Sequence, residues 1–274
     1  MKDGNEEVTP FAMIASCSEV LQLDLKIPEF AHVAQINNFS EESIAAVAEV
    51  FKYLRDRQIE TTIRTLLKMS RLPQKDVKTF KNFNFDRIQG KDVDRLKNLP
   101  TLSPIYAHKN IAFIGPPGTG KTHLAQAFGY ECCQNGLKTY FIKMSELRDK
   151  FNAARRSGKE ASVLNGLVRP SCLIIDEVGH CEFDKENTRM FFDLIDRRYN
   201  KEGAFNIVFT SNRNPSEWRN NFNESDALLC ALDRIFDDAI VYSIKGASYR
   251  GRKLETVALT TTSVPAPTAT NTMH

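Results

Sequence analysis

The chain has 274 residues, 42% of them hydrophobic and 9% aromatic, with 37 Lys and Arg against 34 Asp and Glu. At roughly 100–200 residues per domain, this is one large domain or one domain with an attachment, long enough to bury a core without disulfide or metal staples. The composition excludes wholesale disorder, collagen and a membrane bundle, and the net charge of +3 does not by itself argue for a nucleic-acid partner.

Residues 1–40 read as an acidic, poorly structured segment with one short helix around 16–25. Ser40 is a suitable helix N-cap, followed by Glu41 and Glu42 in the first turn. Ile44, Val47, Ala48, Phe51 and Leu54 then recur at helical spacing. A second helical stretch follows over residues 60–72, and Pro73 ends it. Residues 41–79 are therefore expected to form a small helical N-terminal domain. Phe80, Phe83 and Phe85 lie in a linker, residues 80–109, expected to dock on the main domain rather than to stack bases.

From Asn110 the pattern alternates. Short apolar strands over 111–114, 139–142, 172–175, 207–210 and 240–244 are separated by helical stretches. Strands this short and apolar are buried on both faces, which implies a three-layer α/β domain with a parallel five-stranded sheet over residues 110–255. Residues 256–274 hold seven Thr, two Pro and no Asp, Glu, Lys or Arg, and read as a disordered tail.

The six cysteines (Cys17, Cys132, Cys133, Cys172, Cys181 and Cys230) form no C-x-x-C pair. They are expected to be reduced packing thiols in a cytoplasmic protein. No apolar run approaches the ~18 residues of a membrane span.

Gly115-Pro116-Pro117-Gly118-Thr119-Gly120-Lys121-Thr122 fits the P-loop pattern in full, and His123 continues it into a helix. The strand, loop and helix are in register, as the motif requires. Backbone N–H groups of such a loop face the phosphates, and the helix N-terminus adds partial positive charge. Lys121 is placed to reach the β- and γ-phosphates, and Thr122 to ligate Mg²⁺. Asp176 and Glu177 end the third strand. Asp176 suits the Mg²⁺ shell, and Glu177 suits polarising a water for in-line attack. Asn212 follows the next strand and faces the same crevice, because ligands bind at the carboxyl ends of strands in such sheets. Arg234 and Arg250 are cations suited to the charge of a transferring phosphoryl group.

Together these motifs resemble the AAA+ ATPases of the IstB/DnaC type. The resemblance runs from about Ile63 to Lys253 and includes Glu217-Trp218, Leu232-Asp233-Arg234 and Gly246-Ala247-Ser248-Tyr249-Arg250. It implies that Lys121 and Thr122 are the Walker A pair, Asp176 and Glu177 the Walker B pair, and Asn212 the sensor-1 residue. It implies that Arg234 is an arginine finger acting on ATP held by a neighbouring subunit, in a ring or spiral oligomer. Arg250 corresponds to the sensor-2 arginine of a reduced helical lid. The implied function is a DNA-binding, ATP-hydrolysing helper that assembles on target DNA and stimulates a transposase. The alternatives are a replicative helicase loader of the DnaC type, or a nucleotide-switched scaffold with little turnover.

Charge by segment locates the expected DNA contact. Residues 1–49 carry 2 basic and 9 acidic residues, residues 50–81 carry 9 and 3, and residues 138–159 carry 7 and 2. The two basic blocks offer Arg64, Lys68 and Arg71, and Arg155, Arg156 and Lys159. The second block falls where initiator-type relatives carry a DNA-facing helix. Binding through such groups is salt-sensitive and largely independent of the sequence of the double-stranded DNA. Solvated helix faces are the alternative reading of both blocks.

Overall fold

Helix α1 (Pro10–Val20) opens the chain in the computed structural model, which describes residues 9–88, 90, 92–223 and 225–246. The expected reduced lid, Arg250, the tail 256–274 and the first eight residues lie outside the described residues. Thr9 caps α1, and Pro10 occupies the first helical position, where its missing N–H costs nothing. Helix α2 (Ile27–Ile36) follows, again with Pro near its start. Residues 10–36 are thus mostly helical rather than poorly structured. The reason is tertiary: Ile14 and Cys17 are fully buried, and α1 packs along helix α3 (Glu41–Met69). An acidic composition does not forbid a helix whose apolar residues find a partner.

Helix α3 is a second departure. Two helical stretches were expected over residues 40–72, whereas one helix of 29 residues spans them. No Gly or Pro interrupts residues 41–69, so the ladder has no reason to break. Ser40 accepts a hydrogen bond from the Ser43 amide at 3.2 Å, as the N-cap reading anticipates. The helix stops at Ser70, before Pro73. Arg71 then ties it to the core, donating to Glu146 at 2.9 Å and to the Tyr140 hydroxyl at 3.3 Å.

The linker docks. Phe80 and Phe83 are buried among Leu72, Leu124 and Phe128. Two short helices, α4 (Val93–Lys97) and α5 (Ser103–Tyr106), complete the approach to the core.

The core alternates strand and helix as the sequence pattern requires. Strand β1 (Ile111–Ile114) leads to helix α6 (Lys121–Gln134), and β2 (Thr139–Lys143) to α7 (Met144–Ser157) and α8 (Glu160–Val168). Strand β3 (Cys172–Val178) leads to α9 (Lys185–Tyr199), β4 (Asn206–Ser211) to α10 (Ser225–Phe236), and β5 (Ile240–Ser243) follows. The sheet order is β2-β3-β4-β1-β5, and every pairing is parallel. One apolar layer lies on each face: Phe113, Leu124 and Phe128 on one, Phe151, Phe191 and Trp218 on the other. This is the three-layer α/β arrangement expected from the buried strands. No helix of the described residues is long and apolar enough to cross a membrane.

Arg198 at the end of α9 is fully buried and donates to the carbonyls of Leu167, Val168, Pro170, Ser171 and Asn206. Burial pushes its guanidinium down to about 10. The side chain staples the loop before β3 to the start of β4, and so fixes the register from which the opposite ends of those strands are built.

Candidate nucleotide site

Parallel strands bring all their carboxyl ends to one edge. Ile114 pairs with Ser211, Val178 pairs with Ser211, and Lys143 pairs with Asp176. The residues that follow β1 and β4, and those that end β2 and β3, therefore meet there.

The loop after β1 is a tight cradle. Gly115 donates to the Ser211 carbonyl at 3.2 Å. A Cβ at Gly115 would lie 2.0 Å from the Ile244 carbonyl oxygen, so no larger residue fits. Gly118 and Gly120 take positive φ of 77° and 90°, a region glycine enters without steric cost. Thr119 Oγ1 donates to the Pro116 carbonyl at 2.9 Å, and Lys121 Nζ donates to the same oxygen at 2.7 Å. Lys121 is buried within this loop. His123 sits two residues on, its Nε2 2.9 Å from the Thr79 carbonyl, and burial lowers its pKa.

Strand β3 carries an irregularity at the decisive point. Ile175 pairs with Phe209 and Val178 with Ser211, so one extra residue of β3 lies between them. A bulge of this kind re-aims side chains, and Glu177 adopts the left-handed backbone conformation at φ 60°. Thr210 closes the gap. Its hydroxyl donates to Asp176 Oδ1 at 2.5 Å and accepts from the Glu177 amide at 3.0 Å. Thr122 donates to the same Asp176 oxygen at 2.9 Å. The structure thus brings Thr122 and Asp176 together from positions 54 apart in sequence. Burial raises the pKa of Asp176, opposed by these two hydroxyl hydrogen bonds.

Glu177 is turned toward solvent and forms an ion pair with Lys143 at 3.1 Å. Asn212 is exposed, its amide 3.1 Å from His180 Nε2. Ser211 accepts from the buried Trp218 indole at 3.1 Å and donates to the Val178 carbonyl at 2.7 Å, which holds the end of β4 against β3. Sequence spacing points to Asn212 at this edge, whereas the contacts of Thr210 with Asp176 and of Lys143 with Glu177 emerge only in the structure. Thr210 sits in a buried strand, where a Thr ordinarily packs, and only the bulge opposite reveals its use.

Arg234 is not at this edge. It pairs with Asp196 at 3.2 Å, lies over the Phe192 ring, and lines a cavity of about 340 Å³ with Asn110 and Tyr199. Asn110 precedes β1, so this cavity is at the amino ends of the strands. At roughly 3.3 Å per strand residue, β1 and the P-loop separate Arg234 from the phosphate cradle by more than an arginine spans.

The basic blocks are partly spent within the chain. Arg64 pairs with Glu60 at 2.9 Å and Arg71 with Glu146 at 2.9 Å. Arg155 pairs with Asp184 at 2.8 Å and Glu186 at 3.5 Å, tying α7 to the start of α9. Lys68, Arg156 and Lys159 are exposed.

A P-loop opening a helix, an acidic residue ending the third strand and a 51432-type parallel sheet define a P-loop NTPase of the AAA+ class. Comparison with known proteins gives the family. Residues 21–256 match the model of the IstB-like ATP binding proteins, and the chain belongs to that family. It is 37% identical over 217 residues to the ATP-binding protein of insertion sequence IS5376 from Geobacillus stearothermophilus, covering 78% of this chain and 84% of that one. It is 31% identical over 231 residues to the ATP-binding protein of insertion sequence IS232 from Bacillus thuringiensis, covering 82% and 90%. Among solved structures it is similar to AMPPCP-bound DnaA from Aquifex aeolicus, with a TM-score of 0.52 and 22% identity over 64% of this chain and 51% of that one. That likeness concerns the fold.

Asp176 has a testable electrostatic consequence. Its pKa in the folded chain is raised above the ordinary value. The ionised carboxylate therefore costs stability at neutral pH, and the cost fades as the pH falls through the raised value. Asp176→Asn keeps an oxygen for both threonines and removes the buried charge. Without nucleotide or divalent ion, the variant is expected to unfold at an equal or higher urea midpoint than wild type at pH 7, with the difference closing on acidification. A clearly lower midpoint at pH 7 contradicts this.

Proposed function

We propose that this chain hydrolyses ATP at interfaces between its own copies while bound to double-stranded DNA, and that this nucleotide cycle serves a transposase. The observation that carries the hydrolytic part is the convergence of Thr122 and Thr210 on one oxygen of Asp176, with the neighbouring Glu177 swung clear by the bulge.

In this reading the backbone amides of residues 118–122 and the Lys121 ammonium bind the β- and γ-phosphates, Lys121 exchanging the Pro116 carbonyl for phosphate oxygen. The hydroxyl of Thr122 and the carboxylate of Asp176 are the hard oxygen ligands that Mg²⁺ takes, and they already stand 2.9 Å apart. When bound there, Mg²⁺ neutralises phosphate charge. Glu177 leaves Lys143 and accepts a proton from the attacking water, and Asn212 orients that water or the γ-phosphate. Glu177→Gln removes the proton acceptor but keeps the shape. ATP binding should persist while phosphate release falls at least about 100-fold, the range of a lost general base. Equal phosphate release by both proteins would remove Glu177 from this role.

The remoteness of Arg234 from its own cradle supports action on a neighbour. In the isolated chain Asp196 and Phe192 hold it, and assembly would turn it to the adjoining subunit's γ-phosphate, where a cation offsets developing charge. Lys121→Ala and Arg234→Ala should each be inactive alone. Mixed together, they should recover part of the ATPase activity through interfaces that combine one intact cradle with one intact arginine. No recovery under conditions where the mixed chains co-assemble counts against action in trans.

The insertion-sequence ATP-binding proteins that this chain resembles favour a transposase over a replicative helicase as partner. Contact with DNA would draw on Lys68, Arg156 and Lys159 directly. Arg64, Arg71 and Arg155 must first share or leave carboxylate partners. Affinity for a random-sequence duplex should fall steeply between about 50 and 200 mM salt, by an order of magnitude for every few phosphates neutralised. Fluorescence anisotropy at several salt concentrations checks this, and a flat profile excludes phosphate-led binding.

A further inference from the structure

The cavity beside the P-loop is not built by the core alone. It measures about 440 Å³, and across from Gly120, Lys121 and Thr122 its wall is formed by the segment after α3 through Lys78, Asn82 and Phe83. That wall is anchored at several points. The Thr79 carbonyl meets His123 Nε2 at 2.9 Å. The Asn82 side chain accepts from the Thr79 amide and donates to the Val77 carbonyl, both at 2.8 Å. The Phe83 ring lies so close to Gly120 that a Cβ there would come within 2.8 Å of it. The backbone on either side of Lys78 is therefore held in place. Its side chain, one-third exposed, forms an ion pair with Asp76, whose own side chain is 79% exposed.

We propose that Lys78 is a second phosphate-binding lysine of the nucleotide site, supplied by the segment after α3 and parked on Asp76 until a nucleotide arrives. The proposal rests on the reading of the P-loop cavity as that site. Its physical basis is an exchange of partners. A pair with a well-solvated carboxylate contributes little. A nucleotide polyphosphate in a half-enclosed cavity offers a charge-assisted hydrogen bond at higher local charge. Lys78 lines the cavity together with Lys121 and His123, and a phosphate of the bound nucleotide is its proposed partner. Because Lys78 lies in the segment that leaves α3, this contact would make nucleotide occupancy felt by the N-terminal helices.

The test is titration of the full chain with a fluorescent ADP analogue, with unlabelled ADP and adenosine as competitors. Wild type should bind ADP and Lys121→Ala should bind it far more weakly. Lys78→Ala should weaken ADP roughly tenfold, the loss of one charged hydrogen bond, while adenosine competition changes less than about twofold. Lys78→Arg should recover most of the affinity. Lys78→Gln serves as the second variant, and far-UV circular dichroism and the thermal midpoint without nucleotide confirm that the wall is intact. Unchanged ADP affinity in a folded Lys78→Ala or Lys78→Gln chain overturns the proposal. So does an equal loss for ADP and adenosine, which would assign Lys78 to packing of the wall. Failure of wild type itself to bind ADP would instead overturn the reading of the cavity, and is recognised by Lys121→Ala behaving like wild type.

Discussion

One threonine hydroxyl holds the candidate site together. Thr210 donates to Asp176 and accepts from the Glu177 amide, so it spans the bulge that separates the two acidic residues. Without that bridge, the Glu177 amide would lose this partner and the buried carboxylate one of its two hydroxyl donors, at the point where β3 leaves its register with β4. With it, Asp176 stays turned inward toward Thr122 while Glu177 is released toward solvent. Two adjacent carboxylates thereby acquire different surroundings and different chemistry. The strained backbone at Glu177 is held by this bridge and by the sheet around it.

The sheet order makes the bridge possible. Strand β4 lies between β1 and β3, so the residues at its end touch the P-loop on one side and the acidic pair on the other. Ser211 does both, accepting from Gly115 through its carbonyl and donating to Val178 through its hydroxyl. Trp218 adds a further anchor from the segment after β4. Its burial explains why an aromatic follows Glu217 in a stretch otherwise rich in polar residues.

Charge is used within the chain before it is offered to a partner. Lys121 is held by a loop carbonyl, Glu177 by Lys143, Arg234 by Asp196, and Arg155 by two acidic residues. The ion pairs of Glu177, Arg234 and Arg155 are partly open to solvent, where such pairs contribute little. A chain so arranged holds these charged groups in internal pairs. The net charge of +3 conceals this, because it averages an acidic N-terminal region with two basic blocks that already carry internal partners.

Much was legible without coordinates. Short apolar runs at regular intervals point to buried strands, as β1, β3 and β4 are, whereas the edge strand β5 is only half covered, and the glycines of residues 115–120 fit a phosphate loop because few other residues tolerate its backbone. Sequence alone therefore determined the fold class, the family resemblance and the positions of Lys121, Thr122, Asp176 and Glu177. It misjudged residues 1–40, whose helices depend on burying Ile14 and Cys17 against α3, a long-range contact that composition does not encode. It divided residues 41–69 into two helical stretches, whereas they form one helix. Only tertiary structure decided that Thr210 bridges the acidic pair, that Lys143 holds Glu177, that Arg234 lies at the opposite end of the sheet from its own cradle, and that Lys78 shares a cavity with the P-loop. Each of these is a meeting of residues distant in the chain, and such meetings are set by strand order and by one extra residue in β3, which leave no local trace in the sequence.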